Sequence, residues 1–289
     1  MSWLPLTIFS AFCIATADAL TRKYLQGYRA RELVMVRFAM PGLILLPVLL
    51  MQPMPDLQPE FWYWVAAAVP LEVVAMLLYV QAIRDTSLTL TLPYLSFTPV
   101  FNTLTGYLLL GETVSMSGFL GIMIVVIGAW LLNIEHARGE RFDVVAPFRA
   151  IVRERGSRLM LMTAAIFSLT SVLGKGALAY TTPMFFGPFY FAAIALVVVV
   201  VFSAGAGTPV RVLWRRPLPH LAVGIFMSLM VLSHFAAIQY VEVAYMVAVK
   251  RSSLLFGMIY SVLLFKERAR IEQFVAGGLM VAGVYLIAS

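Results

Sequence analysis

Residues 242–267 read EVAYMVAVKRSSLLFGMIYSVLLFKE, an apolar run long enough to cross a bilayer that carries Lys250 and Arg251 side by side in its interior. A hydrocarbon core about 30 Å thick asks for ~20 apolar residues in helical form. A cation inside it costs roughly 2.5–3.5 kcal/mol on insertion scales, so its presence needs a reason. The side chains either snorkel to water, pair with carboxylates, or meet an anion that passes. Lys250 lies seven residues in from Val243, about 10 Å at 1.5 Å per residue, and its neighbour points roughly 100° away around the helix. One cation can reach the surface; the other cannot easily follow. Arginine offers a two-pronged fork to phosphate or carboxylate, and lysine adds a compact point charge. Ser252 and Ser253 add hydroxyls beside them.

Similar apolar runs fill most of the chain. They fall at about 3–21, 32–52, 61–83, 88–110, 113–133, 158–180, 184–204, 218–239, 243–264 and 270–288. This spacing predicts an all-α membrane protein with ten transmembrane helices. Composition agrees: 62% of the residues are hydrophobic and 12% charged, against about 25% charged in soluble domains. The lone Cys13 rules out a disulfide framework. A net charge of +7 would suit a nucleic-acid binder, but the positive residues sit in short loops between apolar runs, which is a topology signal. No nucleic-acid partner is expected, and no basic segment precedes the first span to mark a removable signal peptide.

The halves repeat. A shift of 155 residues lays Leu110-Gly111-Glu112 on Phe265-Lys266-Glu267, Gly128-Ala129-Trp130-Leu131 on Gly283-Val284-Tyr285-Leu286, and Tyr79 on His234. Five helices per copy is an odd number, so the second copy runs upside down. Two inverted five-helix repeats follow, 1–135 and 158–289, joined by a linker at 136–157. Such repeats are typical of secondary transporters, whose substrate site lies between the halves near the midplane. All seventeen lysines and arginines outside the spans fall in alternate loops on one side. By the positive-inside rule that side is cytoplasmic and both termini are extracytoplasmic; a bacterial inner membrane is the expected home. Phe142, Val144, Val145, Phe148, Ile151 and Val152 give the linker an apolar stripe for the membrane surface.

Other polar residues interrupt the spans. Glu72 is the deepest carboxylate, at the middle of the third helix, where it suits a proton-coupling site or a standing salt bridge to Lys250 or Arg251. Arg37 and Lys175 lie within snorkelling reach of helix ends, and Asp18 sits one turn from Arg22. His234 reads as a lining residue, with no metal-ligand spacing around it. The fourth helix carries Pro93 and Pro99 among Tyr94, Ser96, Thr98, Asn102, Thr103 and Thr105, a density that suits a cavity wall. Gly118, Gly121, Gly128, Gly277, Gly278 and Gly283 read as packing glycines in the fifth and tenth helices. Arg37, Lys175, Lys250 and Arg251 outnumber Asp18 and Glu72, so the interior is cationic. That favours anionic or zwitterionic cargo.

Val36-Arg37-Phe38, the run Ser96-Phe97-Thr98-Pro99-Val100-Phe101, Leu110-Gly111-Glu112 and the glycines Gly121 and Gly128 together resemble EamA-type members of the drug/metabolite transporter superfamily. The resemblance covers nearly the whole chain. It implies a ten-helix fold with a central cavity lined by the third, fourth, eighth and ninth helices. Val249-Lys250-Arg251 is similar to the Lys–Arg pair with which plastid sugar-phosphate/phosphate translocators grip phosphate. A third phosphate-binding lysine of those translocators has no counterpart here.

The expected function is a secondary transporter moving a small anionic metabolite, phosphorylated or carboxylate, by alternating access. Export of amino acids or drug-like compounds, or flipping of a phosphate-headgroup lipid, are the alternatives. The substrate site is expected at Lys250, Arg251, Glu72, Tyr94, Thr98, Asn102, His234 and Ser253, with membrane lipids and a proton or counter-substrate as further partners. No cofactor, metal or enzymatic activity is expected, since no nucleophile–base pair or nucleotide loop occurs.

Overall fold

The computed structural model describes residues 2–85, 92–134, 154–205, 207–266 and 271–289. The amphipathic stretch of the linker, Glu267 and the side chain of Pro93 lie outside the described residues. The described residues form ten helices: α1 Trp3–Tyr24, α2 Ala30–Leu50, α3 Pro59–Asp85, α4 Thr98–Leu110, α5 Met116–Ile134, α6 Arg155–Leu178, α7 Pro183–Val200, α8 Pro217–Ile238, α9 Val243–Phe265 and α10 Ile271–Ala288. Seven of them, α1, α2, α3, α6, α7, α8 and α9, are long and apolar enough to span a membrane; α9 is interrupted after Lys250. A 3-10 segment, Leu92–Phe97, leads into α4.

These spans carry their polar groups by folding them onto backbone. In α1 the hydroxyls of Thr7, Thr16 and Thr21 donate to the carbonyls of Trp3, Phe12 and Ala17 at 2.9, 2.8 and 2.7 Å. A hydroxyl in apolar surroundings is thereby satisfied within its own helix. At the start of α7, Thr182 accepts from the Phe185 amide at 3.3 Å, with Pro183 in the first turn where a missing N–H matters least. Replacing Thr182 by alanine is expected to lower stability by about 1 kcal/mol, read as a lower thermal midpoint in detergent. Serine at the same position should hold the wild-type midpoint.

Packing pairs the two halves element by element. Helix α3 lies on α6, α1 on α8, α2 on α7, and α5 on α10. The α5–α10 contact is backbone to backbone. A Cβ on Gly121 would stand 2.8 Å from the Gly283 carbonyl oxygen, and one on Gly128 would stand 2.8 Å from the Ala276 carbonyl oxygen. Higher numbers on one helix face lower numbers on the other, so the pair is antiparallel. Gly278, by contrast, has nothing within 4 Å of its would-be Cβ and is not a packing glycine.

The fourth and ninth spans are broken, where the apolar runs suggest continuous helices. Thr98–Leu110 and Ser253–Phe265 are both 13 residues long and lie 155 residues apart. Each ends in a left-handed residue, Gly111 at φ 67° and Lys266 at φ 54°. A non-glycine residue with positive φ is uncommon, so the same turn is built at both ends whether or not glycine is there to ease it. In the fourth span the cause is Pro99, which has no N–H to give the Leu95 carbonyl. The Thr98 hydroxyl donates to that carbonyl instead, at 2.7 Å.

Candidate functional site

The interruption of α9 falls on the cation pair. Its first half ends at Lys250, Arg251 caps it, and the second half begins at Ser253. Across the break the amides tighten to three-residue bonds: Arg251 to Ala248, Ser252 to Val249, Leu254 to Arg251 and Leu255 to Ser252, all at 2.9–3.0 Å. These amides stay hydrogen-bonded through the break, so the positive charge there is that of Lys250 and Arg251.

Lys250 has soft, neutral company. Its ammonium lies 3.2 Å from His234 Nδ1 and 3.3 Å from Met230 Sδ. An ammonium only donates, so Nδ1 must offer its lone pair and the proton of a neutral ring sits on Nε2. Among the described residues, Arg251 Nε and Ser252 Oγ have no hydrogen-bond partner. Glu72 on α3 is within electrostatic reach of Lys250, with Thr170 of α6 and Tyr190 of α7 beside it. Yet among the described residues no ion pair within 4 Å joins Glu72 to either cation. A standing salt bridge is therefore absent there. Lys250, Arg251, Glu72, His234 and Ser253 are each partly accessible.

The fourth span behaves differently from a cavity wall. Tyr94, Thr98 and Asn102 are 0, 2 and 1% exposed. Tyr94 packs edge-on to Trp130, Thr98 serves the Leu95 carbonyl, and Asn102 is buried with neither amide atom partnered among the described residues. Helix α4 lies against the first half of α9 and against α6. These three residues are packed away from open space. The structure thus brings five of the eight expected site residues together and buries the other three in the packing of the fourth span.

The remaining intramembrane charges are matched. Arg37 pairs with Asp18, with Tyr79 in electrostatic reach. Asp18 thus turns to α2 and not along its own helix to Arg22, whose guanidinium stacks over the Phe265 ring at 4.2 Å. Lys175 pairs with Glu112 at 2.5 Å. Subtracting these two pairs leaves Lys250 and Arg251 against Glu72, so the centre keeps a net positive charge. Glu112, Met230, Thr170 and Tyr190 were not legible as partners: Glu112 reads as a loop residue after a span, and the other three as ordinary helix content.

Comparison with known proteins fits this arrangement. A curated relative from Methanothermobacter thermautotrophicus (strain ATCC 29096 / DSM 1053 / JCM 10044 / NBRC 100330 / Delta H), described as an uncharacterized transporter, is 26% identical over 227 residues. The match covers 74% of this chain and 61% of that relative, so the chain spans about three fifths of its length. A solved crystal structure superposes on 98% of this chain and 95% of its own with a TM-score of 0.76 at 15% identity, a likeness of fold. Residues 1–134 and 155–289 both match one family, leaving out only the interval between the halves. The chain is an integral membrane protein and belongs to the EamA-like transporter family.

Proposed function

We propose that the chain is a secondary carrier of a small anionic metabolite, phosphorylated or carboxylate, bound at Lys250 and Arg251 between two inverted repeats. The observation that carries this reading is a pair of adjacent cations at a mid-span helix break, with no carboxylate within 4 Å among the described residues. Arg251 Nε, unpartnered among the described residues, offers a donor, and His234 holds the Lys250 ammonium without neutralising it. Glu72, in electrostatic reach of Lys250, can carry a proton or meet a positive group on a zwitterion.

The inverted arrangement draws support from the reciprocal α5–α10 contact, the matched 13-residue half-helices and the paired left-handed ends. Rocking of one half against the other would expose the site to each side in turn. The basic loops face the cytoplasm in this reading. The likeness to sugar-phosphate translocators rests on Val249-Lys250-Arg251 alone and points to phosphate as the first ligand to try.

The test is a thermal-shift panel on purified protein: phosphate, sugar phosphates, di- and tricarboxylates, amino acids, cationic drugs and a phospholipid headgroup. Anions are expected to raise the midpoint of the wild type and to leave the Lys250→Ala/Arg251→Ala variant unchanged. Stabilisation confined to cations, or surviving the double substitution, would sink the reading. Stabilisation by amino acids alone would move the cargo to zwitterions held between Glu72 and the cations.

A further inference from the structure

On the face of the bundle that holds the turns at 111–115 and 239–242, one carboxylate ties three elements together. Glu112, in the turn between α4 and α5, receives the Lys175 ammonium from α6 on Oε1 at 2.5 Å. Its Oε2 receives the backbone amide of Val243, the first residue of α9, at 2.9 Å. Lys175 also donates to the Val241 carbonyl at 2.6 Å, which fixes the ammonium against the turn before α9. The Lys175 and Glu112 side chains are 20 and 12% exposed. Next to this knot the Tyr245 hydroxyl accepts from the Ser115 amide at 2.7 Å, tying the same turn to α9 a second time.

The geometry is that of a carboxylate-binding site with its ligand already in place. One oxygen meets a cation, the other meets a backbone N–H at a helix start, and the cation is held by a separate carbonyl. Nothing in the donor set requires the carboxylate to be covalently attached. Lys175 and the Val243 amide belong to the second half of the chain, while Glu112 belongs to the first. We infer that Lys175 and the Val243 amide form an oxyanion site at this mouth of the transporter, and that Glu112 fills it to latch the mouth shut. An anion arriving at the mouth competes with Glu112 for the same donors. Opening on this side then means moving Glu112 off Lys175.

The inference does not rest on cargo binding at Lys250 and Arg251, and its test is run with that site neutralised. In a Lys250→Gln/Arg251→Gln background, Glu112→Ala vacates the space of one carboxyl group. Acetate and formate, titrated to tens of millimolar at constant ionic strength, are expected to raise its thermal midpoint by several degrees. They should do nothing to the parent, whose site is filled, nor to the Glu112→Ala/Lys175→Gln variant, which lacks the cation. Acetamide, the neutral analogue, should also do nothing. Equal acetate responses in parent and Glu112→Ala would overturn the site.

The latch is read separately, so that a poorly folding alanine variant does not decide it. In a Cys13→Ala background, Ser171→Cys places a thiol one turn below Lys175 on the same helix. Glu112→Gln, which keeps the shape and removes the charge, is expected to raise labelling of that thiol by a membrane-impermeant maleimide at least fivefold. An unchanged rate would show that Glu112 holds nothing closed.

Discussion

Replacing Lys250 or Arg251 by glutamine is expected to raise Kd for any anion that stabilises the protein by about 10- to 100-fold each. A hydrogen bond to a charged group contributes roughly 1.5–3 kcal/mol, and about 1.4 kcal/mol is a factor of ten. The two cations face one ligand, so their losses will not add simply; the double variant should nonetheless lose at least about 100-fold. Arg251→Lys keeps the charge and gives up the fork, and belongs between the wild type and Arg251→Gln. Glu72→Gln should go the other way and tighten the anion several-fold, because it removes the carboxylate in electrostatic reach of Lys250. Isothermal titration of the five variants decides the sign and order. A Kd within twofold of wild type for both glutamine variants would place the cargo elsewhere.

The largest effect on folding is expected at the α5–α10 seam. Gly283→Ala puts a methyl group 2.7 Å from the Gly121 carbonyl oxygen, a backbone atom that cannot rotate aside. The helices must part, at a cost typical of overpacking, about 1–3 kcal/mol. Gly121→Ala meets the reciprocal obstacle at 2.8 Å. Gly278→Ala, five residues away on the same helix, meets open space and should gain up to about 1 kcal/mol from helix propensity. One substitution type thus carries opposite signs along one helix. Identical thermal midpoints for Gly278→Ala and Gly283→Ala would mean that the two backbones do not touch.

Much of this architecture was legible because a bilayer leaves the chain few choices. Apolar runs of helical length, basic residues in every other loop and a 155-residue echo are coarse patterns, and the ten helices sit close to where the apolar runs put them. The cations were legible for a similar reason, since Lys250 and Arg251 stand out against an apolar background. Their environment was not. Whether Glu72 touches them depends on how α3 and α9 cross, and spacing along one helix says nothing about that. The fourth span shows the same gap: Tyr94, Thr98 and Asn102 look like lining residues by composition, yet a small rotation of the span decides between cavity and packing. Lys175 misled for a different reason. Its partner lies 63 residues away, in a turn that looked like punctuation after a helix.

The two broken spans differ in how firmly they are broken. The fourth owes its joint to a ring: straightening it would leave the Leu95 carbonyl facing a proline that can never answer it. The ninth has no such obstacle, for every residue from Val243 to Phe265 retains its amide hydrogen. Its bend can be undone by exchanging three-residue bonds for four-residue ones, with no hydrogen bond lost. One joint is welded and the other is a hinge, and the hinge is the one that carries the charge.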